Sequence, residues 1–182
     1  MFSVDHDKRV KKKTVEGPGF YLKIPKDFST HRENDPQGQW GYGEFFQTNA
    51  LEENLDPQTN MFFFYWENTP GKRSEKQAQV LIETVCSERV FSGEHSLELV
   101  EMFPITFKRF PAFILKYRFS HYDPEASGKA SFFFINNTQQ DKIYVLGTMI
   151  QAIGSRMMES EAMAWIEDQV IPSFRFKKMV GG

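Results

Sequence analysis

Four histidines, His6, His31, His95 and His121, are the side chains best suited to hold a metal or move a proton near neutral pH. They are scattered, and no two are spaced to share a helical turn. A metal site written into sequence would show H-E-x-x-H or C-x-x-C, spacings that aim two ligands at one ion. Neither pattern occurs. The one cysteine, Cys86, continues an apolar helical stripe with Leu81, Ile82 and Val85, where a thiol reads as inert core rather than nucleophile. A single cysteine forms no intramolecular disulfide. The G-x-S-x-G elbow, the Walker loop and G-x-G-x-x-G are all missing, and Gly41-Tyr42-Gly43 reads only as the entry to a strand. Glu52, Glu53 and Asp56 crowd beside Pro57 without following the calcium-loop pattern, so they read as a solvated acidic turn. Asn136-Asn137-Thr138 matches a glycosylation triplet, which carries meaning only in a secreted eukaryotic protein. An enzyme would have to assemble its site by folding, with two or more of His31, His95, His121, Glu44 and Glu67 lining one deep pocket.

Basic residues offer recognition chemistry instead. Lys8, Arg9, Lys11, Lys12 and Lys13 crowd together near the start of the chain, among few apolar residues. Such a block repels itself and stays solvated, so residues 1–16 are expected to be a flexible basic arm. Lys116 and Arg118 interleave with aromatics in K-Y-R-F-S-H-Y, a composition that single-strand nucleic-acid platforms also use. Strand alternation places those charges on the face opposite the aromatics, which favours a core strand with a basic outer face. These seven cations are the candidate interaction residues. A net charge of −2 argues against nucleic acid as the partner.

The elements that must position these side chains follow from periodicity. A chain of 182 residues, 40% hydrophobic and 25% charged, suits one soluble globular domain with a sizeable core. Its 19 phenylalanines fill that core or line an apolar groove. After Gly17-Pro18-Gly19, Phe20, Leu22 and Ile24 alternate with Tyr21 and Lys23, a half-buried strand that Pro25 ends. Residues 29–39 read as a polar loop, 42–49 as a strand, and 51–60 as an acidic loop. Residues 61–66, apolar on both faces, read as a strand covered on both sides. Ser74 and Gln77 form a capping box for a helix whose stripe is Ala78, Leu81, Ile82 and Val85. Residues 96–104 and 105–110 lead into a hairpin with 112–119. Strands at 129–136 and 142–150 follow, the last apolar on both faces and so the best candidate for the sheet centre. A second helix, 159–170, carries Ala162, Trp165, Ile166 and Val170 on one stripe, which predicts Trp165 buried, and Pro172 stops it. The late connections are too short for parallel crossovers. The expectation is α+β: a three-layer α/β/α sandwich with a central, mainly antiparallel sheet, in a single domain over 17–178. No run is apolar and long enough to span a membrane, and no signal-peptide core is visible. That fits a cytosolic protein, and equally one whose leader was removed.

The order of these elements and two local motifs resemble the PsbP-like superfamily, which includes PsbP, the Ran-binding Mog proteins, DcrB-type lipoproteins and the Eag chaperones of type VI secretion. The carrying residues are G-F-Y-L-K-I-P-K-D-F at 19–28 and the closing I-P-S-F-R-F at 171–176, with the helix at 74–86 and the paired strands between them. The resemblance implies an α/β/α sandwich and no enzyme activity; with no ligand motif in the sequence, no cofactor and no metal are expected. It also implies a protein partner: a chaperone, assembly factor or accessory subunit. The alternative is an envelope or lumenal accessory protein that binds a small ligand or ion. A homodimer stays open.

Overall fold

In the computed structural model, residues 11–26, 28–47, 61–90, 95–121, 127–151, 168 and 170–178 are described. Among the described residues, ten strands run β1 Lys12–Gly17, β2 Phe20–Pro25, β3 Phe28–Asn34, β4 Trp40–Gln47, β5 Met61–Asn68, β6 His95–Phe107, β7 Phe110–His121, β8 Gly128–Asn137, β9 Lys142–Gln151 and β10 Arg175–Phe176. Helix α1, Glu75–Val85, widens into a π-helical turn over Cys86–Val90, and a short helix α2 spans Ile171–Ser173. Seven strands form one antiparallel sheet in the order β3-β4-β5-β9-β8-β7-β6, and three form a second in the order β1-β2-β10. The class is therefore α+β, dominated by antiparallel sheet.

The doubly apolar β9 lies at the centre of the large sheet, as its sequence predicts. One face carries Phe63, Tyr65, Leu115, Tyr117, Phe132 and Val145 and is packed by α1 through Ala78, Ile82, Val85 and Cys86. The capping box is present: the Gln77 amide donates to Ser74 Oγ at 3.3 Å and the Ser74 amide to Gln77 Oε1 at 2.9 Å. Such a cap stabilises a helix start by about 1 kcal/mol. The opposite face carries Phe45, Phe62, Phe64, Ile135, Tyr144 and Leu146, and packs on Phe20, Leu22, Ile24, Val170, Ile171 and Phe174. Among the described residues, that second face is thus covered by the small sheet and the segment around α2. The expected helix at 159–170, with Trp165, lies outside the described residues apart from Asp168 and Val170, as do the acidic loop 51–60 and residues 1–10.

Three sequence expectations are corrected. Residues 12–16 are not a loose arm: Lys12–Gly17 pairs antiparallel with β2 along its whole length, and Val15 is buried. The charges hid this strand because one face is wet. Residues 29–34 are not loop: β3 pairs residue for residue with β4 from Phe28↔Gln47 to Asn34↔Gly41. Its burial falls away after Phe28, as suits a sheet edge, so it shows no alternation to read. Residues 96–104 and 105–110 are not two strands. His95–Phe107 is one strand of 13 residues, bulged between Leu99 and Glu101.

Two glycines take on a packing role in the sheet. Gly43 lies directly opposite Phe64 and Gly147 opposite Phe63. In each pair the ring leans across the glycine so closely that a Cβ would sit 2.5 Å and 2.2 Å from ring carbons.

Candidate functional site

Most of the residues singled out by sequence have structural stations. Lys8 and Arg9 lie outside the described residues. Lys11 and Lys12 are exposed at the start of β1, while Lys13 Nζ donates to the Phe28 carbonyl at 2.6 Å. Lys116 and Arg118 project from the exposed face of β7, as alternation predicts, with Glu101 and Glu98 directly opposite on β6. Opposite charges placed this way stabilise a strand pair by a few tenths of a kcal/mol. Lys116 Nζ also lies 6.0 Å from the Phe103 ring centre. His31 is exposed on β3, opposite Glu44 in register, and His95 is opposite His121. Among the described residues, no group of three or more His, Cys, Asp or Glu side chains gathers as a metal site. Cys86 is fully buried, and burial pushes its thiol well above the ordinary value. Asn136 is buried, with its Oδ1 accepting from the Arg73 amide at 2.8 Å, so the glycosylation triplet is inaccessible in the fold.

What sequence did not single out is a cluster around Arg89. The π-helical turn after α1 carries this guanidinium over the Trp40 ring, 3.9 Å from its centre, and Nη1 donates to Glu33 Oε2 at 2.7 Å. Trp40 stacks in turn on Tyr65, ring centres 6.5 Å apart. Register explains the assembly: Trp40↔Glu67, Tyr42↔Tyr65 and Glu33↔Tyr42 are cross-strand partners, so all project from one face. The Tyr42 hydroxyl donates to Glu44 at 2.6 Å and the Tyr65 hydroxyl to Glu67 at 2.9 Å. Burial first, then these carboxylates, pushes both phenols far above their ordinary range. They therefore stay protonated donors that fix two carboxylates at the rim, and neither serves as a base. The result is a half-buried tryptophan and an arginine, rimmed by Glu33, Glu44, Glu67 and Glu88. Tryptophan, tyrosine and arginine are the types that dominate interface energetics. The only hint in sequence is W-G-Y-G-E, whose Trp40, Tyr42 and Glu44 alternate onto one face. Arg89 arrives from 49 positions later, and nothing local announces it.

Comparison with known proteins defines the fold class first: this is the fold of the PsbP and Mog proteins. The solution structure of cyanobacterial PsbP (CyanoP) from Synechocystis sp. PCC 6803 matches with a TM-score of 0.57 at 15% identity, covering 92% of each chain. The Ran-binding protein Mog1p of Saccharomyces cerevisiae matches with a TM-score of 0.60 at 14% identity, covering 92% of this chain and 96% of that one. No protein-family model and no curated protein matches the chain. The family resemblance read from the opening and closing motifs thus holds at the level of structure.

Proposed function

We propose that this chain is a non-catalytic protein-binding module, acting as a chaperone, assembly factor or accessory subunit, and that its partner docks over Trp40 and Arg89. The observation that carries the reading is the half-buried Trp40 held between Arg89 and Tyr65 beside four rim carboxylates. A ring already held by two neighbours loses little freedom on binding. The carboxylate rim suits a partner surface that presents lysine or arginine. Mog1p, of the same fold, is named for binding Ran, which lends support by analogy. We take residues 12–178 as one domain, with helix 159–170 completing an α/β/α sandwich. The exposed Lys11 and Lys12 at the start of β1 offer a second contact of opposite sign.

Affinity capture from the native host at several salt concentrations tests this, using the natural sequence beside Trp40→Ala and Arg89→Glu. The expected result is one stoichiometric protein held by the natural sequence and weakened about 30-fold or more by either change, the scale of an interface hot spot. Recovery of no stoichiometric partner at any salt concentration sinks the proposal. Equal recovery by all three proteins moves the interface elsewhere.

A further inference from the structure

On the face of the large sheet opposite Trp40 and Arg89, three chain segments form a half-open cleft of about 480 Å³. The β6–β7 turn contributes Lys108 and Arg109, and the closing segment contributes Arg175, Lys177 and Lys178. Phe110 and Phe176 meet edge to face in its wall, ring centres 5.0 Å apart, and the β8–β9 turn adds the amides of Asn137 and Gln139. No carboxylate is among the lining residues. Lys177 is paired with Glu16, and Lys108 Nζ is held by the Pro172 carbonyl at 3.1 Å. Among the described residues, Arg109, Arg175 and Lys178 have no carboxylate partner.

We propose that this cleft binds a small phosphate-bearing polyanion. The volume falls within the roughly 300–1,000 Å³ of small-molecule sites. Guanidinium groups match phosphate oxygens in pairs, and amide N–H groups add neutral donors beside them.

A second observation is independent of charge. Lys108 and Arg109 are the two central residues of a tight hairpin turn and both have positive φ, 45° and 77°. A two-residue turn of that kind ordinarily selects Asn-Gly, because other side chains are strained there. Strained backbone of this sort is concentrated at ligand sites. This chain instead puts two long cations at the position, both lining the cleft. Burial and then the Arg175 charge also hold the Lys108 ammonium below its ordinary value, as expected where cations gather without a counter-ion.

The turn supplies its own control. Replacing Lys108→Asn together with Arg109→Gly gives the turn its preferred residues and removes two cations, so the fold should melt no lower than before. Calorimetric titration with inorganic tripolyphosphate should show binding that falls steeply with salt. The turn variant should weaken it about tenfold or more, and so should Arg175→Gln, which keeps the test alive if the turn variant folds poorly. Phosphatidylcholine vesicles doped with phosphatidic acid identify the source. Vesicle binding lost in the same variants names a lipid headgroup, and binding of soluble polyphosphate alone names a free phosphate compound. No binding of either at low salt overturns the site. So does equal affinity in all variants, or tighter binding of a polyglutamate peptide than of tripolyphosphate.

Discussion

Phe20 stacks on Phe174, ring centres 5.3 Å apart and planes 22° from parallel. One ring comes from the opening G-F-Y-L-K-I-P motif and the other from the closing I-P-S-F-R-F motif. Both rings are fully buried and both contact Tyr144 on β9. Beside them the Lys23 amide donates to Ser173 Oγ at 3.0 Å, and the one proton of that hydroxyl is shared between the Val170 carbonyl at 2.5 Å and the Lys23 carbonyl at 3.0 Å. A serine side chain thus serves β2 as a neighbouring strand residue would. The two motifs are halves of one packing unit.

Phe174→Ala should therefore be among the most damaging single changes, costing about 3–5 kcal/mol in urea unfolding, with an unchanged slope. Ser173→Ala, which leaves the Lys23 backbone groups without that partner, should cost about 1–2 kcal/mol. A Phe174→Ala loss below about 1 kcal/mol would mean that the second core does not close as described.

Removing β1 should matter more than its charge suggests. A chain beginning at Gly17 loses the β1 pairing to β2 from Lys12 to Glu16 and the buried Val15, leaving β2 little beyond its two-residue pairing with β10. Its melting temperature is expected to fall well below that of a chain beginning at Lys11. Equal melting of the two would return residues 12–16 to the status of a solvated arm.

Gly147→Ala places a methyl where Phe63 already lies, at the centre of the large sheet. Overpacking of this kind typically costs about 1–3 kcal/mol. The double change Gly147→Ala with Phe63→Leu should recover part of that loss. If the single change is neutral in thermal melting, the Phe63 ring moves aside without cost.

Alkali should unfold the protein. Tyr42, Tyr65, Tyr117 and Tyr144 are all pushed above the ordinary phenol value of 10.0, chiefly by burial. Cys86 is likewise pushed above its ordinary 9.0. Above these values the unfolded chain releases protons that the folded chain keeps, so stability is complete below about pH 9 and falls as pH rises. The slope approaches about 1.4 kcal/mol per pH unit for each such group. Lys108 and Lys142 act in the opposite sense, since their lowered values make stability rise with pH just below 10.5. They are mostly exposed and offset little. Urea midpoints at about pH 8 and about pH 11 measure the balance. An unchanged midpoint would place the phenols in water.

The central elements were legible because burial on both faces leaves a strong sequence signal. β9 and β5 read as doubly apolar, β7 as alternating, and α1 as a capped stripe. The edges were illegible for the complementary reason. β1 and β3 are held by their ladders, with Val15 and Phe28 among their few buried side chains. The candidate sites were hidden by distance along the chain. Trp40 and Arg89 meet only because a π-helical turn ends α1 over β4. Lys108 and Arg175 lie in two ordinary basic-aromatic runs, F-K-R-F and F-R-F-K-K, that gain meaning only once they face each other.

The small sheet is built from the order β1-β2-β10, with Lys23 and Ser173 bonded across 150 residues. During synthesis at roughly 5–20 residues per second, β2 therefore waits about 8–30 s for its last partner. For that interval Phe20, Leu22 and Ile24, and the face of Phe64 and Tyr144 that they cover, lack Phe174. A nascent chain of this fold should be a client of general chaperones until its closing motif has emerged, and a ribosome stalled before residue 174 should hold a species that sticks to its neighbours.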